Sequence, residues 1–437
     1  MIVPRHPPPA LPGGAGGDAV DLGRMLSPAT NALATLEAEV APATGLAPRR
    51  AQPRVVGAVG AALLVGAAWL APRYGARQSA LFLVGAALGV VLYHAAFGFT
   101  AAFRALVTRG DGRGIRAQML MLAVATVLFA PLLAAGEAFG VGLGGAVAPA
   151  SLSVLIGAFV FAIGMQLGGG CGSGTLYHLG AGTTAMVVTL AGFVGGSVLA
   201  TWHADFWAAT PSLGEVSLAA RLGWSRAVAV QLVAFGAVVV ATRAVERRRP
   251  LAARSAAARP PGGAWRLIHG PWPLLAGAVA LAVLNALTLV LAGHPWVITW
   301  AFTLWGAKLV ALFGYDLSTV PFWSGDFQRA ALAAPVVADV TSVMDLGIVL
   351  GACLGAGLAG RFAPTRRVPP RLAAVSLLGG LLLGYGSRIA FGCNIGAYVS
   401  GIASTSLHGW LWGAAALLGT PVGVRLRRLV GSGDRPE

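Results

Sequence analysis

Apolar runs long enough to cross a bilayer recur along most of this chain. They fall at about 55–71, 79–103, 117–136, 151–169, 183–202, 224–242, 273–292, 296–315, 339–359, 372–391 and 407–424. A helical span needs about 20 predominantly apolar residues, so these runs predict a bundle of transmembrane helices. Two stretches between them, 169–183 and 392–406, are rich in Gly and too polar and short to span. They predict short non-spanning turns or helices inside the bundle. Residues 1–50 are rich in Pro, Gly and Ala and contain no long apolar run. They read as a disordered or weakly helical cytoplasmic extension. No apolar region follows their first basic residues, so they do not read as a signal peptide.

Composition agrees with this pattern. The chain has 437 residues, 57% hydrophobic and 11% charged. A soluble domain carries about a quarter charged residues; charges this sparse cannot cover the surface of a soluble fold of this size. A soluble enzyme is excluded as the default, and so is a disordered protein. The formal net charge is +16, and every basic residue is Arg except Lys308. Most of these Arg sit in short loops between apolar runs, as cytoplasmic loops do under the positive-inside rule. Nucleic-acid binding is therefore rejected as their explanation. The basic segments 104–116, 243–266 and 361–371 and the C-terminal tail are assigned to the cytoplasm. Loops 137–150, 203–221 and 316–338, poor in Arg, are assigned to the outside. Two apolar runs lie between 266 and 316, where an odd number of crossings is required. One of them, 296–315, is expected to be re-entrant or split.

The chain thus divides into the extension 1–50, a first membrane half 51–242, a basic cytoplasmic linker 243–270, a second membrane half 271–424 and a cytoplasmic tail 425–437. Superposing Cys171 on Cys393 also superposes Gly157, Gly164, Gly170 and Gly174 on Gly379, Gly386, Gly392 and Gly396. The run before Cys171 enters from an outer loop, whereas the run before Cys393 enters from a cytoplasmic loop. Opposed entry of two similar motifs is the sequence signature of inverted-topology repeats. The expected fold is an all-α polytopic membrane protein, an inverted-repeat helical bundle with re-entrant Gly-rich loops and short central helices.

The two motifs share G-C-x-x-G at the end of an apolar run. The first reads Gly168-Gly169-Gly170-Cys171-Gly172-Ser173-Gly174, and the second Phe391-Gly392-Cys393-Asn394-Ile395-Gly396. Irregular backbone at membrane depth is tolerated only where it is buried in protein or lines a cavity. A helix starting after each Cys would aim free N–H groups and a positive dipole end at that cavity. The product is two anion-friendly constrictions, each carrying one thiol. The competing reading treats each Cys as a small buried hydrophobe and each Gly turn as helix packing. Cys353 lacks such a context and reads as packing. With three Cys in all and no C-x-x-C, neither a zinc site nor a disulfide framework is expected.

Gln166 and Arg388 each lie five residues before a motif Cys. An intramembrane Arg is costly and is a functional candidate by default; snorkelling or pairing with a carboxylate is the other reading. Lys308, Asp339 and Asp345 are sparse charges in apolar surroundings, and the expected use is an internal ion pair. The candidate substrate-path residues are Cys171, Cys393, Gly170, Gly172, Ser173, Gly174, Gly392, Asn394, Gly396, Arg388 and Gln166. No catalytic residue, metal ligand or cofactor is expected, and no Walker motif is present.

The stretches 166–177 and 384–397, followed by Ser400-Gly401-Ile402-Ala403-Ser404 and His408-Gly409-Trp410, resemble the two signatures of the YeeE/YedE sulphur-transport family. Pro321-Phe322-Trp323-Ser324-Gly325 and 339–345 resemble further family segments. The resemblance covers roughly 55–425. It implies a multi-pass protein of the bacterial inner membrane that takes up thiosulfate or a related sulfur anion. It also implies an hourglass-like fold with Cys side chains along a narrow path, where S–H···S contacts pass the anion on. Cys171 and Cys393 would then be path residues. Well-known thiosulfate members carry another Cys near the first Gly-rich hairpin, where this chain has Phe97-Gly98-Phe99-Thr100. That departure leaves selenium or another sulfur species as an alternative substrate. It also leaves a membrane sulfur-transfer protein forming a Cys persulfide as an alternative function. A TusA-like cytoplasmic sulfur carrier is the partner the resemblance implies.

Overall fold

The computed structural model describes residues 50–248, 264–364 and 367–432. The expected extension 1–50 lies almost wholly outside the described residues, as do most of the linker 243–270 and the end of the tail. The described chain is mostly helical, and nine helices in it are long and apolar enough to cross a membrane. Four strands of two to four residues also form, paired β1–β2 and β3–β4: Glu137–Ala138 with Val141–Gly142, and Pro149–Ser151 with Ser212–Glu215. The expectation of an all-α chain is corrected to that extent. These strands lie in the loops 137–151 and 203–221, where polar backbone has no helix to complete its hydrogen bonds.

The first half contains α1 (Pro53–Tyr74), α2 (Ala76–Ala95), α3 (Phe99–Arg109), α4 (Arg113–Ala135), α5 (Leu152–Gly168), α6 (Gly172–Gly180) and α7 (Ala185–Leu199). α8 (Trp224–Arg248) closes the first half and runs into the linker; the second half contains α9 (Leu274–Ala292), α10 (Thr299–Leu312), α11 (Val340–Leu358) and α12 (Pro370–Ile389), then a π-helical turn Asn394–Val399, a short helix Ser400–Ala403 and α13 (Leu407–Arg427). The apolar run 79–103 is not one helix. The left-handed residue Ala96 ends α2, and the chain restarts at Phe99. The run 296–315 yields only α10, whose 14 residues reach about 21 Å, less than the hydrocarbon thickness of about 30 Å.

Helix packing follows small residues. α5 crosses α12 antiparallel, with Gly157 against the Gly386 carbonyl and Gly164 against the Gly379 carbonyl. α7 runs parallel to α12 through Gly192, Gly196, Gly380 and Gly384. α2 runs parallel to α11 through Gly85, Gly89, Gly347 and Gly351. Lipid tails are as apolar as Leu, so close backbone approach is what holds membrane helices together. α4 packs on α9 as α2 packs on α11, and α5 on α13 as α12 on α7. α1 lies on α11 as α8 lies on α4. α1 and α8 are the outermost helices, presenting Leu64, Val65, Val233 and Val240 outward.

Candidate functional site

Each motif Cys follows a long helix within a few residues and caps the start of a short one. Cys171 has φ −92° and ψ −165°, and Cys393 has φ −95° and ψ −165°. The backbone thus enters both turns in the same extended conformation. The Cys171 carbonyl accepts from Thr175 N at 2.8 Å, and the Cys393 carbonyl accepts from Ala397 N at 3.0 Å. Local sequence makes these turns. Gly169 ends α5 with φ +80°, and Gly392 precedes the second Cys with φ +145°. At Gly392 a Cβ would also lie 2.8 Å from Ala397 N, so no other residue fits there. Trp412 on α13 donates from Nε1 to the Gly392 carbonyl at 3.1 Å and fixes that turn.

The two motifs meet. A Cβ on Gly172 would lie 3.1 Å from Cys393 Sγ and 3.5 Å from Ile298 Cγ2. Gly172 is therefore the point where the first motif lets the second thiol approach. A Cβ on Gly396 would touch Val297 Cγ1 at 3.4 Å. The break 293–298 between α9 and α10 thus lies against both motifs. Asn285 holds that break. Its Oδ1 accepts from Trp296 N at 2.8 Å, and its Nδ2 donates to Ser400 Oγ at 3.3 Å, while Ser400 donates to the Trp296 carbonyl at 2.8 Å. Irregular backbone at this depth is satisfied by side chains, as the membrane demands. Asn285, Ser400 and the break were not picked out from the sequence as site residues. The Gly293-His294-Pro295 start of the run was the signal that marks it.

Both thiols are free and buried. Around Cys171, Sγ accepts from Gly174 N at 3.4 Å and pairs with Ser173 Oγ at 3.4 Å. A Cβ on Gly170 would press on Thr175 N, and one on Gly174 would lie 3.4 Å from Cys171 Sγ. Around Cys393, the N–H groups of Ile395 and Gly396 face the thiol. Asn394 is fully buried, and neither of its amide atoms has a hydrogen-bond partner among the described residues.

Gln166 is placed differently. Its Oε1 accepts from Arg104 Nε at 2.9 Å and its carbonyl from Arg427 Nη1 at 3.0 Å. It ties α5 to α3 and α13. Arg388 stacks its guanidinium over Phe322 at 5.1 Å. Phe322 belongs to the loop assigned to the outside, and this contact is a cation–π pair instead of a carboxylate pair. Cys353 is half-buried on α11.

The expected ion pair among Lys308, Asp339 and Asp345 does not form. Lys308 Nζ donates to the carbonyls of Leu332 at 2.6 Å and Ala334 at 2.7 Å. Asp339 caps α11, accepting from Ser342 N at 2.7 Å, and also accepts from Trp300 Nε1 at 3.0 Å. The reason is geometric: the loop 313–339 folds back over α10 and offers carbonyls closer than any carboxylate. Asp345 is fully buried, and both its oxygens are without a hydrogen-bond partner among the described residues.

Residues 94–422 match the family model described as sulphur transport. The probable transporter YedE of Escherichia coli (strain K12) is 30% identical over 159 residues, 36% of this chain and 38% of YedE; the YedE of Salmonella typhimurium gives the same figures. The matched region therefore spans little more than a third of those relatives. The thiosulfate transporter TsuA of Spirochaeta thermophila is 27% identical over 357 residues, 77% of this chain and 95% of that protein. TsuA of Escherichia coli (strain K12) is likewise 27% identical over 357 residues, and 91% of it is covered.

Proposed function

Because the chain belongs to the sulphur-transport family, we propose that it carries thiosulfate, or a closely related sulfur anion, across a bacterial inner membrane through a narrow conduit where Cys171 and Cys393 meet. The observation that carries this reading is the contact of Cys393 Sγ with Gly172, the residue next to Cys171. The names of the two TsuA relatives supply the substrate.

The bundle is read as two inverted repeats with re-entrant hairpins. A two-fold axis between α5 and α12 would exchange Gly157 with Gly379 and Gly164 with Gly386. It requires Gly157 to touch Gly386 wherever Gly164 touches Gly379, and those contacts occur. The same axis maps α2 onto α9, α4 onto α11 and α7 onto α13, which accounts for the paired packing α2–α11 with α9–α4 and α5–α13 with α12–α7. Each half then contributes one short helix, beginning at its Cys, to the centre.

A dianion leaving water loses solvation worth tens of kcal/mol in a low dielectric unless the protein replaces it. Here the replacement is built from N–H groups at two helix starts, from Asn394 and from two S–H donors. A thiol is a weak donor. It favours a soft terminal sulfur and releases it again, so an anion can pass without being trapped. Arg388 would stand at the outer side of this path and attract the anion toward it.

The test is uptake of radiolabelled thiosulfate by liposomes that contain only the purified chain. Uptake suppressed by excess unlabelled thiosulfate but not by sulfate is the expected result. No uptake, or equal suppression by sulfate, would contradict the reading.

A further inference from the structure

We propose that Asp345 carries a proton on the anion path, so that an inward proton gradient drives uptake; this rests on the thiosulfate reading above. Asp345 is fully buried, and neither carboxyl oxygen has a partner among the described residues. An ionised carboxylate in that position would be uncompensated. The cation that sequence would pair with it, Lys308, is committed to two loop carbonyls. Its neighbours on α11 are also engaged: Asp339 caps the helix, and Ser342 Oγ accepts from Trp305 Nε1 at 2.9 Å.

The position of Asp345 connects it to the conduit. α11 packs on α6, the helix that begins beside Cys171. Asp339 acts electrostatically on the Asp345 carboxyl, and that carboxyl acts on the Cys393 thiol. The flanking helices also carry Arg54, Arg73 and Tyr74 on α1, Arg77, Tyr93 and His94 on α2, Tyr177 and His178 on α6, and Lys308 on α10. Asp339 is the charged group that acts on the Asp345 carboxyl. Two more unpartnered polar groups occur at this centre: the Asn394 amide, and Trp296 Nε1 on the break that adjoins Gly172 and Gly396.

A dianion beside an ionised Asp345 would be repelled. Beside a protonated Asp345 it gains a hydrogen-bond donor. Anion entry and carboxyl protonation therefore favour one another, and linkage makes that preference reciprocal. The proton is taken from water on the outer side. It is given to water on the cytoplasmic side when the anion leaves, and no bond other than O–H is made or broken.

The experiment uses the full chain in liposomes loaded with a pH-sensitive dye, with voltage clamped and labelled thiosulfate outside. An inward gradient of one pH unit should raise accumulation about tenfold for each proton moved, and adding thiosulfate should acidify the lumen. Asp345→Asn should bring the ratio of accumulation with and without the gradient to about one. Wild-type uptake with no acidification, or undiminished gradient dependence in Asp345→Asn, would overturn the coupling while leaving thiosulfate transport standing. A wild type that takes up no thiosulfate under any gradient would overturn the transport reading and the coupling with it. Infrared spectra give a check independent of transport and of the variant's activity. Wild type at neutral pH should show a protonated-carboxyl C=O stretch that Asp345→Asn lacks, and an ionised Asp345 there would overturn the proposal.

Discussion

The two Cys turns share a backbone conformation and differ in what surrounds them. At Cys171 the polar groups are used locally: Ser173 Oγ and Gly174 N meet the thiol, and Thr175 Oγ1 donates to the Cys171 carbonyl at 2.8 Å. At Cys393 the neighbouring amide of Asn394 is idle, and the buried carboxyl of Asp345 and the indole of Trp296 are idle close by. Buried polar groups are almost always paired. Gln166 Nε2, five residues before Cys171, is unpaired too, but within the turns themselves Asn394 is the residue with both polar atoms free, so under the proposed conduit the second turn would offer the anion its hydrogen bonds. The first motif supplies a thiol held in position and, at Gly172, the room for the second.

The strongest way to break this comparison is to fill that room. Gly172→Val places a Cβ 3.1 Å from Cys393 Sγ and 3.5 Å from Ile298 Cγ2 and adds two methyl groups beyond it. Overpacking of this kind costs about 1–3 kcal/mol, and thiosulfate uptake should fall at least about tenfold. Gly174→Ala, whose Cβ would lie 3.4 Å from Cys171 Sγ, should leave uptake near wild type. Equal losses in the two variants would remove Gly172 from its special position.

The idle amide offers the next test. Asn394→Leu keeps the branched skeleton and the number of heavy atoms and removes both polar atoms. A hydrogen bond to a charged group is worth about 1.5–3 kcal/mol, so the KM for thiosulfate should rise about tenfold or more. Ser173→Ala should shift KM by about twofold at most, because Ser173 is engaged with its own Cys. The reverse order would mean that the first turn binds the anion.

A weaker contrast concerns how each half ties down its connecting loop. In the second half, Lys308 holds loop 313–339 through two carbonyls. Lys308→Met should lower stability by about 1–3 kcal/mol, read as a lower melting temperature in detergent. In the first half, the loop 110–112 is held by charge: Arg116 meets Glu246 at 3.0 Å, and Arg113 meets Asp111 at 2.6 Å. The Arg113 side chain, hydrogen-bonded to Asp111, holds that carboxyl below its ordinary range. Its stabilising effect is present above the unfolded value and is lost as pH falls through the folded value. Arg113 is largely exposed, so the effect is small. Arg113→Ala should lower the melting temperature slightly near neutral pH, flatten its shallow acid-side loss, and have no effect once Asp111 is protonated.

Sequence reading went furthest where hydrophobic length alone decides. Runs such as 117–136, 224–242 and 339–359 correspond to α4, α8 and α11. It was less complete where a break lies inside an apolar run: nothing in Tyr93-His94-Ala95-Ala96 announces the left-handed turn that separates α2 from α3. Both Cys turns were legible because Gly clusters and a repeated spacing mark them. Their surroundings were not. Asn285 stands in an apolar helix, and only the folded chain brings it to Trp296 and Ser400. The ion pair expected of Lys308 fails for the same reason, since sequence spacing says nothing of a loop folding back to offer carbonyls. Arg388 was legible as costly, yet its aromatic partner comes from a loop far away in the chain.

The most direct test of a thiol-lined path is labelled thiosulfate uptake by liposomes containing the wild type, Cys171→Ser or Cys393→Ser, each verified as folded. The account predicts robust uptake by the wild type, a loss of at least about tenfold in Cys393→Ser, and a smaller but measurable loss in Cys171→Ser. Wild-type rates in both variants would contradict it and leave the two Cys turns as helix packing.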